Sequence, residues 1–492
     1  MSGRYIISID QSTQGTKALL FDKSGTLLCR EDLSHKQIVN ELGWVSHDPE
    51  EIYNNVIGVI KAVLAKANVA PDDVACLGIS NQRETSVLWD KETGKALNNA
   101  VVWQCARATE ICEREEIKEA AEYVFKTTGL KLSPYFPAAK IAWLLENTDG
   151  AKLKAENKSI CHGTVDSYLV YRLTGGKTYA TDYSNASRTQ LFDIFSLKWD
   201  EKICKLFGID IENMPQVLDS NACYGYTDCE GIFSSPIPIN SVMGDSHCAL
   251  FGQDCRANGK AKATYGTGSS IMMNIGETPV LSKNGLVTSL AWGMDGKVNY
   301  VLEGNLNYTG AVITWLKDDL RLIDNAGETE ALAIGANKSD ELYLVPAFSG
   351  LGAPYWNSHA KAAIVGMDRT TGKNEVVRAA LECIAYQITD IVTAMKEDSG
   401  INLSELRVDG GPTKNSYLMQ FQADIAGCDV LVPNMEELSG IGAAYMAGLA
   451  CGIWTEDIFE KMKRTTHSPK MASDIASTKY KGWKKAVSGV CN

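Results

Sequence analysis

Two distant stretches of the chain carry the same order of local signals, and this recurrence constrains the fold more than any single motif. Over residues 5–29 (YIISIDQSTQGTKALLFDKSGTLLC), β-rich runs alternate with turn signals at Gln14-Gly15 and Ser24-Gly25, which predicts consecutive antiparallel hairpins. A helix is expected over residues 48–67. Asp48 supplies the N-cap, Pro49 takes the first helical position, and Ile52, Val56, Ile57, Ile60 and Val63 share one face. A strand over 74–80 then runs into the polar cluster Asn81-Gln82-Arg83-Glu84-Thr85. In the second half, residues 261–276 (AKATYGTGSSIMMNIG) read as a glycine-turned hairpin and 299–304 as a strand. Residues 308–322 and 374–396 read as helices, and 406–411 (LRVDGG) as a strand entering a glycine turn. The expectation is an α/β chain of two similar halves, 1–250 and 251–492. The halves share no obvious sequence identity, so the duplication is an expectation about structure.

The length of 492 residues suits two large domains. Apolar residues at 45% and charged residues at 22% are the balance of a soluble globular protein. The net charge of −12, with no lysine- or arginine-rich block, argues against a nucleic-acid-binding chain. The start, MSGRYIISID, lacks the basic and apolar regions of a signal peptide, and no apolar run nears the roughly 18 residues of a membrane span. A cytoplasmic protein without membrane insertion is therefore expected. The 14 cysteines form no Cys-x-x-Cys pair and have only six histidines to share a metal site, so free buried thiols are expected. Adjacent Cys161 and His162 point in different directions and are not assigned a nucleophilic role.

Three segments hold the parts that phosphoryl transfer needs: donors around phosphates, a carboxylate for a divalent metal, and a base for the attacking hydroxyl. The first runs from Asp10 through Gln11, Ser12, Thr13, Gln14, Gly15 and Thr16 to Lys17, a strand-end carboxylate followed by a turn of small and hydroxyl residues. The second, Thr264-Tyr265-Gly266-Thr267-Gly268-Ser269-Ser270, lets backbone approach a phosphate closely. It lacks the lysine-serine or lysine-threonine ending of a P-loop. The third, Asp409-Gly410-Gly411-Pro412-Thr413-Lys414-Asn415, offers a glycine ledge for a base or ribose. Each alone is also an ordinary turn. Their joint order with Gly244-Asp245 raises all three.

With these residues in place the chain resembles the FGGY carbohydrate kinases, and within that family the glycerol kinases. The resemblance runs from residues 6–11 to 440–445. It is carried most specifically by NQRET at 81–85, DYSNASRT at 182–189, YGTG at 265–268, PAFSGLGAPYW at 346–356 and YFPAAKIAWLLEN at 135–147. It implies an actin-like fold of two ribonuclease-H-like domains with a ligand cleft between them. The first domain would bind polyol or sugar and the second ATP, with Mg²⁺ alongside. Asp245 then matches the catalytic base, and Asp10 and Asp245 the carboxylates near the metal. Thr13, Gln14, Lys17, Gly266, Thr267, Gly310, Gly411 and Asn415 match positions toward ATP. Arg83, Glu84, Trp103, Tyr135 and Asp245 match positions toward the polyol. Oligomeric state is left open, a homo-oligomer included.

Several residues depart from the glycerol-kinase pattern. Ser270 stands in place of a phenylalanine, Ser246 in place of a glutamine, Cys105 and Ala106 in place of aspartate and arginine, and Lys17 in place of an arginine; His247 is also unusual. Two serines in the acceptor pocket should widen it and add hydroxyl partners. Three readings stand at this point: a glycerol kinase, a kinase for a four- to six-carbon polyol or ketose, and a non-catalytic sugar-responsive ATP-binding protein. A hydroxyl base at Asp245 favours the first two.

Overall fold

In the computed structural model, which describes residues 4–337 and 341–491, the expected hairpins form in both halves. Strands β1 (Tyr5–Gln11), β2 (Gly15–Asp22) and β3 (Leu27–Ser34) pair antiparallel in sequence. Strands β4 (Val74–Asn81) and β5 (Ile237–Gly244) then add in parallel beyond β1, giving the order β3-β2-β1-β4-β5. In the second half, β6 (Lys260–Tyr265), β7 (Ser269–Gly276) and β8 (Lys297–Leu306) pair antiparallel. Strands β9 (Glu405–Asp409) and β10 (Asp429–Pro433) follow in parallel, giving β8-β7-β6-β9-β10. The two orders are the same. The duplication expected from the recurring local signals, though without sequence identity, is present in topology, as two ribonuclease-H-like domains.

Helix α1 (Pro49–Ala67) begins where the sequence predicts: Asp48 accepts from the Glu50 N–H at 2.9 Å, and Ile52, Val56, Ile60 and Val63 are buried against the first sheet. A second, five-stranded sheet combines two short strands that precede α1 (Ile38–Val39 and Val45–His47) with three between β4 and β5, and with helix α2 (Pro137–Asn147) it carries Trp103 and Tyr135 toward the cleft. Helix α3 (Asp245–Gly252) follows β5 directly. The second half adds α4 (Lys373–Ser399), α5 (Ser416–Ala426) and α6 (Leu438–Ala450). The helix expected over 308–322 is only partly formed. An α-helical turn, Gly310–Thr314, passes into a wider π-helical turn, Trp315–Asp319, which keeps Leu316 buried while Trp315 packs on Phe348.

The halves meet where α6 lies on α3 and on the first sheet. A Cβ at Gly442 would overlap the Cys248 carbonyl oxygen, and one at Gly252 would lie 2.8 Å from the Leu438 carbonyl oxygen, so the two backbones touch. One buried cluster crosses the seam, joining Ile6, Leu19 and Met243 to Met272, Val301, Ile441 and Tyr445. All 14 cysteines are free. Among the described residues no helix is long and apolar enough to cross a membrane.

Candidate active site

Strand pairing alone collects the first half's predicted residues. Asp10 lies opposite Ser80, Gln11 opposite Asn81, and Gly244 opposite Asn81, so Asp10, the 82–85 cluster and Asp245 emerge at one sheet edge. Ser80 donates to Asp10 at 2.9 Å. Facing them is a polar surface of the second sheet. Thr264 lies opposite both Ser270 and Asp409, Ser270 opposite Asn305, and Met272 opposite both Lys262 and Glu303. Cross-strand partners share a face, and so do residues two apart on one strand. Lys262, Thr264, Ser270, Glu303, Asn305 and Asp409 therefore look the same way.

The two surfaces are joined by a buried ion network. Arg83 donates twice to Glu303, Nη1 at 3.0 Å and Nη2 at 2.9 Å, while its Nε lies 3.4 Å from Asp245 Oδ1. Arg188 donates from Nη1 to Glu303 at 2.9 Å and from Nε to Glu84 at 2.5 Å, and its guanidinium lies 5.2 Å from the Phe136 ring. Glu84 has φ +58°, a strained backbone for a residue with a Cβ, held in place by this network. Far from being a solvated pair, Arg83 and Glu84 are 7% and 2% exposed. Trp103 meets Tyr135 edge-on at 5.8 Å and donates from its indole N–H to Thr13 at 2.9 Å. Buried Lys140 pins the backbone below Tyr135 by donating to the Pro134 and Tyr135 carbonyls.

Asp245 is the first residue of α3. Its Oδ1 accepts from the Ser246 N–H at 2.6 Å. A third of the side chain opens to the cleft. The surrounding walls still desolvate the carboxyl and raise its pKa above 3.8; Glu84 adds to the rise, while Arg83, the Ser246 N–H and Lys262 oppose it. Asp10 is pushed up to about 6 by burial, against the pull of Lys17 and the Ser80 hydroxyl, with Asp245 and Glu437 adding negative charge. Among the described residues no cluster of three or more His, Cys, Asp or Glu side chains could hold a metal. Two coupled carboxylates at a cleft do suit Mg²⁺, which takes few protein ligands and completes its shell with water and phosphate oxygens. His247 is buried and kept neutral, its pKa driven well below 6.5 by burial and by Arg83; its Nε2 lies 3.5 Å from Ser289 and its Nδ1 has no partner.

The second half's predicted residues divide. Gly310, Gly411 and Asn415 line one cavity of about 500 Å³, with Ile313, Leu381 and Ile384 among its apolar walls. Asn415 is partly committed: its Oδ1 caps α5 through the Leu418 N–H at 2.9 Å, and its Nδ2 donates to Thr329 at 3.1 Å. Beside it, Gly410 has φ +100°, and a Cβ there would overlap the Tyr265 carbonyl, which ties the third segment to the second. The carbonyls of Gly266 and Thr267 accept from the Gly310 and Ala311 N–H groups at 2.9 and 3.0 Å, while the Thr267 side chain stays exposed. Gln14 is exposed. Lys17 is occupied by Glu437 at 2.5 Å, where Arg30 also binds. Cys105 is buried and receives the Val45 N–H and Arg107 Nε, whereas Ala106 is exposed; Ser246 is half-buried.

Motif reading did not single out Glu303, Lys262 or the role of Arg188. For Glu303 the signal is strand alternation, since Glu303 and Asn305 interleave with Leu302, Gly304 and Leu306 on β8, and Lys262 alternates likewise with Ala261 and Ala263 on β6, whereas Arg188 lies in a turn. Lys262 Nζ donates to Thr264 at 3.0 Å, and Thr264 donates to Asp409 at 3.1 Å, so a buried cation stands between Asp409 and the acid cluster.

Two family models match the chain: the N-terminal domain of the FGGY family of carbohydrate kinases over residues 5–252, and its C-terminal domain over 261–451. Glycerol kinase of Clostridium beijerinckii is 47% identical over 488 residues, 98% of each chain, and that of a Thermoanaerobacter species is 47% identical over 487 residues, also 98% of each. The crystal structure of Plasmodium falciparum glycerol kinase with ADP superposes with a TM-score of 0.94 at 36% identity, covering 99% of this chain and 98% of that one. A ligand-bound xylulose kinase of Lactobacillus acidophilus, 21% identical with a TM-score of 0.86 over 98% and 97% of the two chains, shares the fold. The duplicated sheets, the carboxylates at their facing edges and these full-length likenesses give one conclusion: the chain belongs to the FGGY family of carbohydrate kinases.

Proposed function

We propose that this kinase transfers the γ-phosphoryl group of ATP to a primary hydroxyl of glycerol, giving glycerol 3-phosphate, with Asp245 as the base. The observation that carries the reading is the state of Asp245. One oxygen is engaged by Ser246 N–H and faces Arg83, the other has no protein partner among the described residues, and burial makes the carboxyl a stronger base than an exposed aspartate. Relatives 47% identical over the full length and named glycerol kinase support the acceptor.

In this reading Arg83 and Glu84 bind the acceptor's hydroxyls, since charged donors and acceptors recognise a polyol with high selectivity. Trp103 and Tyr135 cover the carbon chain, and Ser246 and Ser270 bound the pocket. Asp245 accepts the proton of the attacking oxygen. Residues 251–492 hold the nucleotide: Thr267 and Gly266 at the phosphates, Gly310, Gly411 and Asn415 around the base and ribose, with Thr13, Gln14 and Lys17 completing the phosphate side from the first half. Mg²⁺, held by Asp10 and Asp245 through its waters, would offset charge on the phosphates.

A second reading, a four- to six-carbon polyol or ketose, draws on Ser270, whose hydroxyl is buried without a partner beside Asn305. Such a group suits a ligand with one more hydroxyl. The test is kcat/KM for glycerol, erythritol, xylitol, ribulose and xylulose. Glycerol well ahead supports the first reading and a longer acceptor ahead supports the second. No phosphorylated product from any acceptor rejects both.

A further inference from the structure

We propose that Glu303, a residue of the second half, is the positioning residue of the acceptor site in the first half. The inference rests on the reading that Arg83 and Glu84 hold the acceptor, and it assigns what holds them. Glu303 sits within β8, between buried Leu302 and Gly304, and is 1% exposed. Both of its oxygens are fully used. Oε1 accepts from Arg83 Nη2 at 2.9 Å and Asn305 Nδ2 at 3.3 Å; Oε2 accepts from Arg83 Nη1 at 3.0 Å and Arg188 Nη1 at 2.9 Å. A carboxylate oxygen offers two lone pairs, so none remains for a substrate.

Each arm of this carboxylate ends on an acceptor residue. Arg83, clamped through its two terminal nitrogens, is left with Nε toward Asp245. Arg188, anchored through Nη1, turns its Nε to Glu84 and so holds the side chain whose backbone is strained. A bidentate clamp fixes the guanidinium plane as well as its position. For stability alone a well-packed apolar cluster in place of Arg83, Arg188, Glu84 and Glu303 together would serve as well, because the desolvation of buried charges cancels much of their attraction. The carboxylate is needed where two cations of the opposite domain must point in fixed directions. The acceptor site is therefore complete only with the second half in place.

The experiment compares Glu303→Gln with the unmodified protein, using the best acceptor of the panel and varying acceptor and ATP separately. Loss of one charge-assisted anchor is expected to raise acceptor KM by about 10- to 100-fold, while ATP KM at saturating acceptor shifts by less than about threefold. Glu303→Asp keeps the charge but shortens the reach, and should fall between. The double variant Glu303→Gln/Arg83→Met should lose less than the sum of the two single variants, since part of the Glu303 effect runs through Arg83 and the rest through Arg188. If Glu303→Gln does not fold, Glu303→Asp is read by the same criteria. Acceptor and ATP KM rising together, an acceptor KM within threefold of the unmodified protein, or additive losses in the double variant would overturn the assignment. Failure of the underlying reading looks different, because Arg83→Met alone would then leave acceptor KM within about threefold of the unmodified protein.

Discussion

Asp245→Asn isolates the proton-accepting step from binding. The amide keeps the shape of the carboxyl, and its carbonyl oxygen can still accept from Ser246 N–H, which the carboxylate does at 2.6 Å. Arg83 should stay in place, because its two terminal nitrogens belong to Glu303 and only Nε, at 3.4 Å, looks toward Asp245. The acceptor pocket is thus expected to persist, with acceptor KM changed by less than about threefold. What disappears is the base, whose positioned proton transfer is worth about 10²- to 10⁴-fold in rate, or about 3–5 kcal/mol of barrier. Acceptor-dependent ADP release gives kcat, and calorimetric titration with ATP checks that nucleotide binding survives. A folded variant retaining more than about a tenth of the original kcat would refute the role.

Three further outcomes follow from the geometry. Burial raises the Asp245 pKa above 3.8, and a base works only when ionised; activity should be present above the raised value and lost as pH falls through it, so an acid limb of kcat/KM at or below 3.8 would contradict the site's electrostatics. Gly442→Ala should lower stability by about 1–3 kcal/mol, because its Cβ would overlap the Cys248 carbonyl with no flexible neighbour to yield; an unchanged thermal midpoint would show that the seam can separate. Asn415→Ala should cost about 1 kcal/mol as a lost helix cap and raise ATP KM without changing acceptor KM; an unaltered ATP KM would remove Asn415 from the nucleotide cavity.

Local signals were legible wherever a residue's role is set by its neighbours in sequence. Asp48-Pro49 starts a helix because capping acts over two or three residues, and Gln14-Gly15 turns a hairpin for the same reason. Asp10, Arg83 and Asp245 could be singled out because strand ends collect at one sheet edge and the resemblance supplied their order. Glu303 could not, since its partners lie 220 and 115 positions away and only the facing of two sheets brings them together. Arg188, within DYSNASRT, has its role hidden for the same reason, its partners Glu84 and Glu303 lying 104 and 115 positions away. The pairing of Lys17 with Glu437 was hidden likewise, since 420 residues separate the two. The helix over 308–322 is present from Gly310 to Asp319, but its wider second turn could not be read, because apolar spacing does not distinguish an α-turn from the one that packs Trp315 on Phe348.

The contact of α3 with α6 has a mechanical consequence. Cys248 and Gly252 on one helix, and Leu438 and Gly442 on the other, stand one turn apart and meet backbone to backbone. Long side chains would interlock there like teeth and would have to climb over one another in any rotation. Two bare backbone surfaces have no teeth. What holds the halves at this crossing is the closeness of the two backbones, so any side chain added there would pry them apart.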